Sequence, residues 1–403
     1  MSAMALEGIR VVEICTGAAG PTVAKCLGEY GAEVLKIETR LRADGHRGAT
    51  PDTWNKSPDF IKLSRNKKSV TLNLRTDEAK RLLKGLIAVS DVVVENYSLG
   101  VMERWGLSYD EVKKIKPDII MIRLKGLGVS GPHASHVTYG PNLLALMGMT
   151  HLWNHPNAVP PTGEARTQHP DFMSGISGAA AVMSALLYRD RTGEGQCIDS
   201  SQVEAGAAFL GPFFLDYLVN GRNPGPVGNT RAGAAPYGAY PCGGGEDKWC
   251  VIGVETEDQW QRFCGAIGQP ALAGDARFAT PEARARNGAE LDELVSAWTR
   301  QRTGNQVMDT LQAAGVPAAP VQDIEDQVER NEQFAARGLF HTMEEPEMGP
   351  VFTEWPPVRM SETPPLLWRT APLMGEHTEY ALRELLGLSE AEVASLQEQG
   401  VLQ

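Results

Sequence analysis

Through the first 125 residues, short runs of Val, Ile and Leu alternate with stretches of helical length. Residues 8–15, 32–38, 68–74, 91–97 and 118–124 read as strands, and the stretches ending near residues 30, 88 and 116 read as the helices between them. Few architectures accept that order. Strands joined through helices pair in parallel, because the crossover returns the chain to the same end of the sheet, and a parallel sheet needs helices on both faces. The expectation is an α/β fold with a Rossmann-like large domain and a mostly parallel sheet. Ligands of such sheets gather at the carboxyl ends of the strands, where Asn96, Tyr97 and Lys125 stand. The turn at residues 16–21 offers backbone N–H groups to a phosphate, but with only Gly17 and Gly20 it falls short of a dinucleotide fingerprint.

At 403 residues the chain is long for a single core, so two domains are expected. Glycine, proline and alanine crowd together between residues 220 and 235. That crowding sets the expected boundaries: 1–222 as the first part of the large domain, 223–330 as a smaller α+β domain, and 331–403 as a linker with C-terminal helices returning to the large domain. A net charge of −12 speaks against a nucleic-acid surface. No uninterrupted apolar run reaches ~18 residues, so no membrane span and a cytoplasmic location are expected. The six cysteines form no CxxC pair, and no metal site is expected from them.

The stretch from His169 to Gly178 places an acidic residue after a proline and ahead of a small, apolar run that carries no charge until Arg189. Pro170 disfavours helix at His169, so Asp171 is expected near the start of a buried helix, where unpaired backbone N–H groups and the dipole favour a carboxylate. Its simplest role there is to cap the helix. His133, His136, His151, His155 and His169 crowd the preceding glycine- and proline-rich loops, but their spacing gives no helical ligand pair. Trp153 and Phe172 read either as core or as the wall of an acyl pocket.

Residues 6–12, Ala19-Gly20-Pro21, residues 31–38, 65–69 and 91–97, the turn Arg191-Thr192-Gly193-Glu194-Gly195-Gln196, and residues 371–378 occur in an order that resembles the family III CoA-transferases. That group includes the formyl-CoA:oxalate and carnitine CoA-transferases and the α-methylacyl-CoA racemases. The resemblance makes Asp171 the catalytic nucleophile, forming first a mixed anhydride and then an aspartyl-CoA thioester. It implies coenzyme A contacts at Leu72, Arg75, Asn96, Tyr97 and Arg104, with Lys125 and Tyr139 near the pocket and Arg40 and Arg47 as looser phosphate contacts. No metal is implied. It also implies an interlocked homodimer, with a heteromeric CoA-transferase as an alternative, acting on an acyl-CoA and a carboxylic acid; succinyl-CoA is an expected donor because it is abundant.

Two positions depart from the family pattern. A glycine-run loop is replaced by residues 229–236, with Gly233 alone at its centre, which reduces backbone freedom there. A glutamine after the first strand is replaced by Gly17-Ala18, which makes room for an acid bulkier than formate or oxalate. The racemase alternative needs a histidine near residues 139–142, and this chain has Tyr139-Gly140-Pro141-Asn142, with His136 three residues early.

Overall fold

A computed structural model describes residues 4–158 and 168–403. The described residues fall into two compact units. The first takes those up to Thr150, those from 168 to Asn223, and Ala335–Gln403; the second takes 151–158 and Pro224–Phe334.

The first unit is built on six parallel strands: β1 (Arg10–Ile14), β2 (Glu33–Glu38), β3 (Lys67–Thr71), β4 (Val92–Glu95), β5 (Ile120–Lys125) and β6 (Cys197–Ser201). Their order is β3-β2-β1-β4-β5-β6, all parallel. The helices before β6 are α1 (Ala19–Glu29), α2 (Pro58–Ser64), α3 (Asp77–Ala88), α4 (Val101–Arg104), α5 (Tyr109–Ile115), α6 (Gly140–Leu146), α7 (Met149–Leu152) and α8 (His169–Thr192). After β6 come α9 (Gln202–Ala207) and α10 (Gly211–Asn220). The sheet is covered on both faces, and strand period decides which residue faces which cover. Val12, Leu35 and Val93 pack with Leu82 and Leu86 of α3 and with the C-terminal Leu382 and Leu396. Their neighbours Val11, Val34 and Val92 pack on the other face with Val23 and Leu27 of α1 and Val182 and Leu186 of α8.

Small residues bring α8 down onto that face. A Cβ added at Gly175 would stand 2.6 Å from the Thr22 side chain, and one at Gly178 would stand 2.9 Å from Ile122. By length and composition α8 could pass for a membrane span. Its Gly175, Gly178, Val182 and Leu186 side is buried within this unit, whereas Ile176, Met183 and Leu187 remain exposed.

The second unit carries a three-stranded antiparallel sheet, β7 (Tyr237–Pro241), β8 (Trp249–Gly253) and β9 (Ala318–Pro320), in that order. Trp260, Phe263, Phe278 and Val295 fill its core. Helices α11 (Glu257–Ala266) and α12 (Gly304–Ala313) both begin at a threonine that closes a reciprocal capping box, Thr256 with Gln259 and Thr303 with Gln306.

Two features differ from expectation. Within the expected small domain, residues 318–320 supply β9, a strand not read from the sequence. The proline-rich stretch after residue 339 contains an antiparallel hairpin, β10 (Phe340–Glu345) and β11 (Gly349–Glu354), in the first unit. Its turn is held by buried Glu345, whose Oε2 accepts from the Glu347 and Met348 amides at 2.7 Å each. A two-stranded ribbon tolerates Pro350 because it has free edges, and that proline masked the strand pattern.

Candidate functional site

Two clefts open among the described residues of the first unit. One, of about 260 Å³, lies at the carboxyl ends of β1 to β4, where α/β sheets collect ligands. Leu72 forms part of its buried wall, and Tyr97 and Trp105 stand together at 5.3 Å between centroids and 74° between planes. Burial pushes the Tyr97 hydroxyl up to about 12, so it remains a hydrogen-bond donor. Arg75 and Arg42 line the same cleft with exposed side chains, and neither has an ion-pair partner among the described residues.

Other residues expected at coenzyme A have different surroundings. Asn96 clamps the turn after β1, donating to the Thr16 carbonyl at 2.7 Å and accepting from the Thr16 amide at 3.0 Å. Lys125 is buried, and its ammonium donates to Glu95 at 2.7 Å and to the Tyr97 carbonyl, so it fixes the backbone of Tyr97 rather than facing the cleft. Arg47 is wholly enclosed. Its guanidinium grips both Glu38 oxygens at 2.7 Å and lies 3.7 Å above the Phe60 ring, which takes it out of reach of a phosphate. Arg40 is exposed and donates to the Met374 carbonyl at 2.9 Å. Arg104 ends α4 exposed beside Trp105, and Tyr139, 74% exposed, stands before α6; neither lines a cleft described here. The amides of the 16–21 turn are partly taken, since Gly17 donates to Asp44 at 3.2 Å and Thr16 to Asn96.

The second cleft, of about 340 Å³, is lined by His46, Asp59, Lys62, Leu63, Gln168, His169 and Phe172. Asp171 lies between two of these lining residues, as the third residue of α8. Gln168 occupies the N-cap position without a side-chain cap, so Asp171 does not cap the helix as its sequence suggested. Burial raises the Asp171 carboxyl to about 6, against a lowering by its own backbone amide and by His46. Its Oδ2 is buried and finds no hydrogen-bond partner among the described residues. A desolvated, unsatisfied carboxylate costs stability, and such groups concentrate at functional sites.

Beneath the clefts runs a line of enclosed charges. Lys67 sits 2.7 Å from Glu13, Glu13 accepts from Lys36 at 2.9 Å, and Lys36 meets Asp44 at 3.1 Å. Glu13, Lys36 and Lys67 are wholly buried. Asp44 then stands 3.6 Å from His46, which it favours in the protonated form and raises in pKa. Asp44 lines the cleft at the strand ends and His46 the cleft beside Asp171, so this loop joins the two. Sequence reading passed over both residues. The available signal was Lys36, a lysine in the middle of a buried strand, which demands a carboxylate partner.

Among the described residues no group of three His, Cys, Asp or Glu could hold a metal. The His133 and His136 rings lie 4.7 Å apart, tilted by 34°, and both residues are exposed. In the second unit the 229–236 segment forms a short bridge between Arg231 and Ala234, and Arg231 pairs with Glu255.

Compared with known proteins, the chain matches CoA-transferase family III over residues 6–378. It is 33% identical to the succinyl-CoA–D-citramalate CoA-transferase of Chloroflexus aurantiacus, over 98% of this chain and 98% of that protein. It is 34% identical to the beta subunit of the succinyl-CoA–L-malate CoA-transferase of the same organism, again over 98% of each. Its fold is similar to the crystal structure of a CaiB/BaiF family protein from Brucella suis, with a TM-score of 0.85 and 31% identity, covering 96% of this chain and 100% of that one.

Proposed function

This chain belongs to CoA-transferase family III, and from that premise we propose that it moves coenzyme A from succinyl-CoA to a second dicarboxylic acid through covalent intermediates on Asp171. The observation that carries the proposal is the desolvated, unpartnered Asp171 oxygen at the head of α8, beside a cleft. The two Chloroflexus relatives, both named for succinyl-CoA and a hydroxy-dicarboxylic acid, support the substrate class.

A transferase must keep the thioester from water while exchanging its acid, and an enzyme carboxylate meets that need. The Asp171 oxygen attacks the thioester carbonyl; the C–S bond breaks, leaving a mixed anhydride and CoA thiolate. The thiolate attacks the aspartyl carbonyl and expels the donor carboxylate, leaving an aspartyl-CoA thioester. The acceptor carboxylate attacks that thioester and frees the thiolate again. The thiolate then attacks the acceptor's carbonyl, giving the new acyl-CoA and restoring Asp171. No proton need enter or leave this cycle, so the nucleophile works in its ionised form.

Coenzyme A is assigned to the cleft at the sheet's carboxyl edge. Arg42 and Arg75 face its phosphates there, and Tyr97 with Trp105 offers a surface to the base. Arg42 replaces Arg47 in this role. The Asp44–His46 loop gives the pantetheine arm a route toward Asp171.

Since the ionised carboxylate attacks, kcat/KM for succinyl-CoA is expected to fall about tenfold per pH unit below about 6, the value to which Asp171 is raised. His46 favours the carboxylate, so His46→Gln moves that limb to higher pH. Incubation with succinyl-CoA and a panel of dicarboxylic acids, read by mass spectrometry across pH, tests the activity and the limb together. A profile flat down to pH 4.5 would contradict attack by an Asp171 carboxyl raised to about 6.

A homodimer is proposed on the exposed apolar face of the first unit. Phe214, Leu215, Tyr217, Leu218 and Val219 of α10 are all exposed, with Leu218 and Val219 each at 75%. So large an apolar surface marks an interaction site. Leu218→Asp is expected to convert the dimer to monomer in light scattering; an unchanged mass would place the interface elsewhere, and a monomeric wild type would remove the homodimer.

A further inference from the structure

The cleft beside Asp171 carries one permanently cationic wall residue, Lys62. Its helix, α2, is a firm support. Phe60 and Ile61 are buried against Ala371 and Val351, and the Phe60 ring lies under the Arg47 guanidinium. Lys62 projects from the opposite side of this helix, and its ammonium stands 5.8 Å from the centroid of Phe172, the residue next to Asp171. Among the described residues Lys62 makes no direct ion pair, although its charge helps to lower the pKa of Glu354. Asp59, three residues earlier, lines the same cleft without reaching it.

The other groups around the cleft sharpen the point. Asp44 is engaged by Lys36 and His46. Asp59 and Asp171 each bring negative charge, so a second carboxylate entering with the substrate would be repelled by both. Lys62 offsets that repulsion, with help from His46 when it is protonated. Between Lys62 and the start of α8 the walls are Leu63 and Phe172, apolar surfaces suited to methylene groups.

We infer that Lys62 is a specificity residue that binds the remote carboxylate of a dicarboxylic substrate while the reacting carboxyl group lies at Asp171. The inference rests on the transferase reading and adds to it the side chain that selects the substrate class. A short dicarboxylic acid would thread its methylenes past Phe172 and place one charge at each end of the cleft. A monocarboxylic acid of equal length would leave Lys62 facing water.

The test compares glutarate with valerate as acceptors from succinyl-CoA, in wild type, Lys62→Met and Lys62→Arg. Lys62 is exposed, so both variants leave the buried face of α2 intact. Wild type is expected to prefer glutarate. In Lys62→Met the glutarate-to-valerate ratio of kcat/KM should fall about ten- to a hundred-fold, mainly through the KM for glutarate, and Lys62→Arg should recover much of it. An unchanged ratio in Lys62→Met, or a wild type that uses both acids equally, overturns the inference and leaves the transferase reading standing. Transfer to neither acid, nor to any acid of the wider panel, would remove both.

Discussion

Asp171→Asn is expected to lower the rate of CoA transfer by at least about 10³-fold, because it removes the atom on which both covalent intermediates form. Its effect on stability should have the opposite sign. The Asp171 carboxyl is raised to about 6 in the folded chain from an ordinary value of 3.8, so between those values the folded state binds more protons than the unfolded state. Stability therefore falls as pH rises through that window, and above about 6 the full cost of the buried charge is present. Asparagine has no charge to bury. The variant should unfold at a higher denaturant concentration than wild type at pH 7.5, and the two should converge below about pH 4. An inactive variant that is more stable than its parent separates a lost nucleophile from a lost fold. Coenzyme A binding, followed by calorimetry, should persist, since the cleft proposed for it is lined by other residues.

The second large effect is on stability. Glu13 is wholly buried between Lys36 and Lys67, at 2.9 Å and 2.7 Å. Those two lysines hold Glu13 ionised, below the usual carboxylate range, despite the opposing effect of burial. Glu13→Ala leaves Lys36 paired with Asp44 alone and leaves the enclosed Lys67 with no ion-pair partner among the described residues. Removing one partner of a buried pair costs roughly 3–5 kcal/mol, and here one carboxylate serves two cations. Urea unfolding should therefore show a loss of about that size, enough to consume much of an ordinary domain's stability. Glu13→Met with Lys67→Met should recover part of it by removing one orphaned charge, whereas a loss below about 1 kcal/mol in the single variant would mean that water reaches the site.

Much of the first unit could be read from the chain. The β-branched runs in β1 to β5 and the Thr76 cap, which accepts from the Ala79 amide, are local signals, and local signals survive in sequence. The order β3-β2-β1-β4-β5-β6 was not legible, because it depends on which edge each crossover chooses. Neither was the β10–β11 hairpin, whose register is set by a buried glutamate in its turn.

The site divides along a similar line. Asp171, Leu72, Arg75 and Tyr97 were expected from motif positions, and in the fold Asp171 stands beside one cleft while the other three line the second. Arg47 and Lys125 had the right charge at the right end of the sheet, yet each is spent on an internal carboxylate, Glu38 and Glu95. Charge type is visible in a sequence; the partner that neutralises it is not. Asp44, His46 and Lys62 were missed for the converse reason. They sit in a loop and a short helix whose polar composition looks like ordinary surface, and only the fold turns them toward a cleft.

The central claim is that the acyl group and then coenzyme A are carried by one side chain. Incubating the protein with succinyl-CoA, quenching with hydroxylamine and sequencing the peptides by mass spectrometry tests it directly. The account predicts a hydroxamate at Asp171, dependent on the acyl-CoA and absent from Asp171→Asn. Continued transfer with that carboxyl unmodified, or a hydroxamate on another residue, would contradict it.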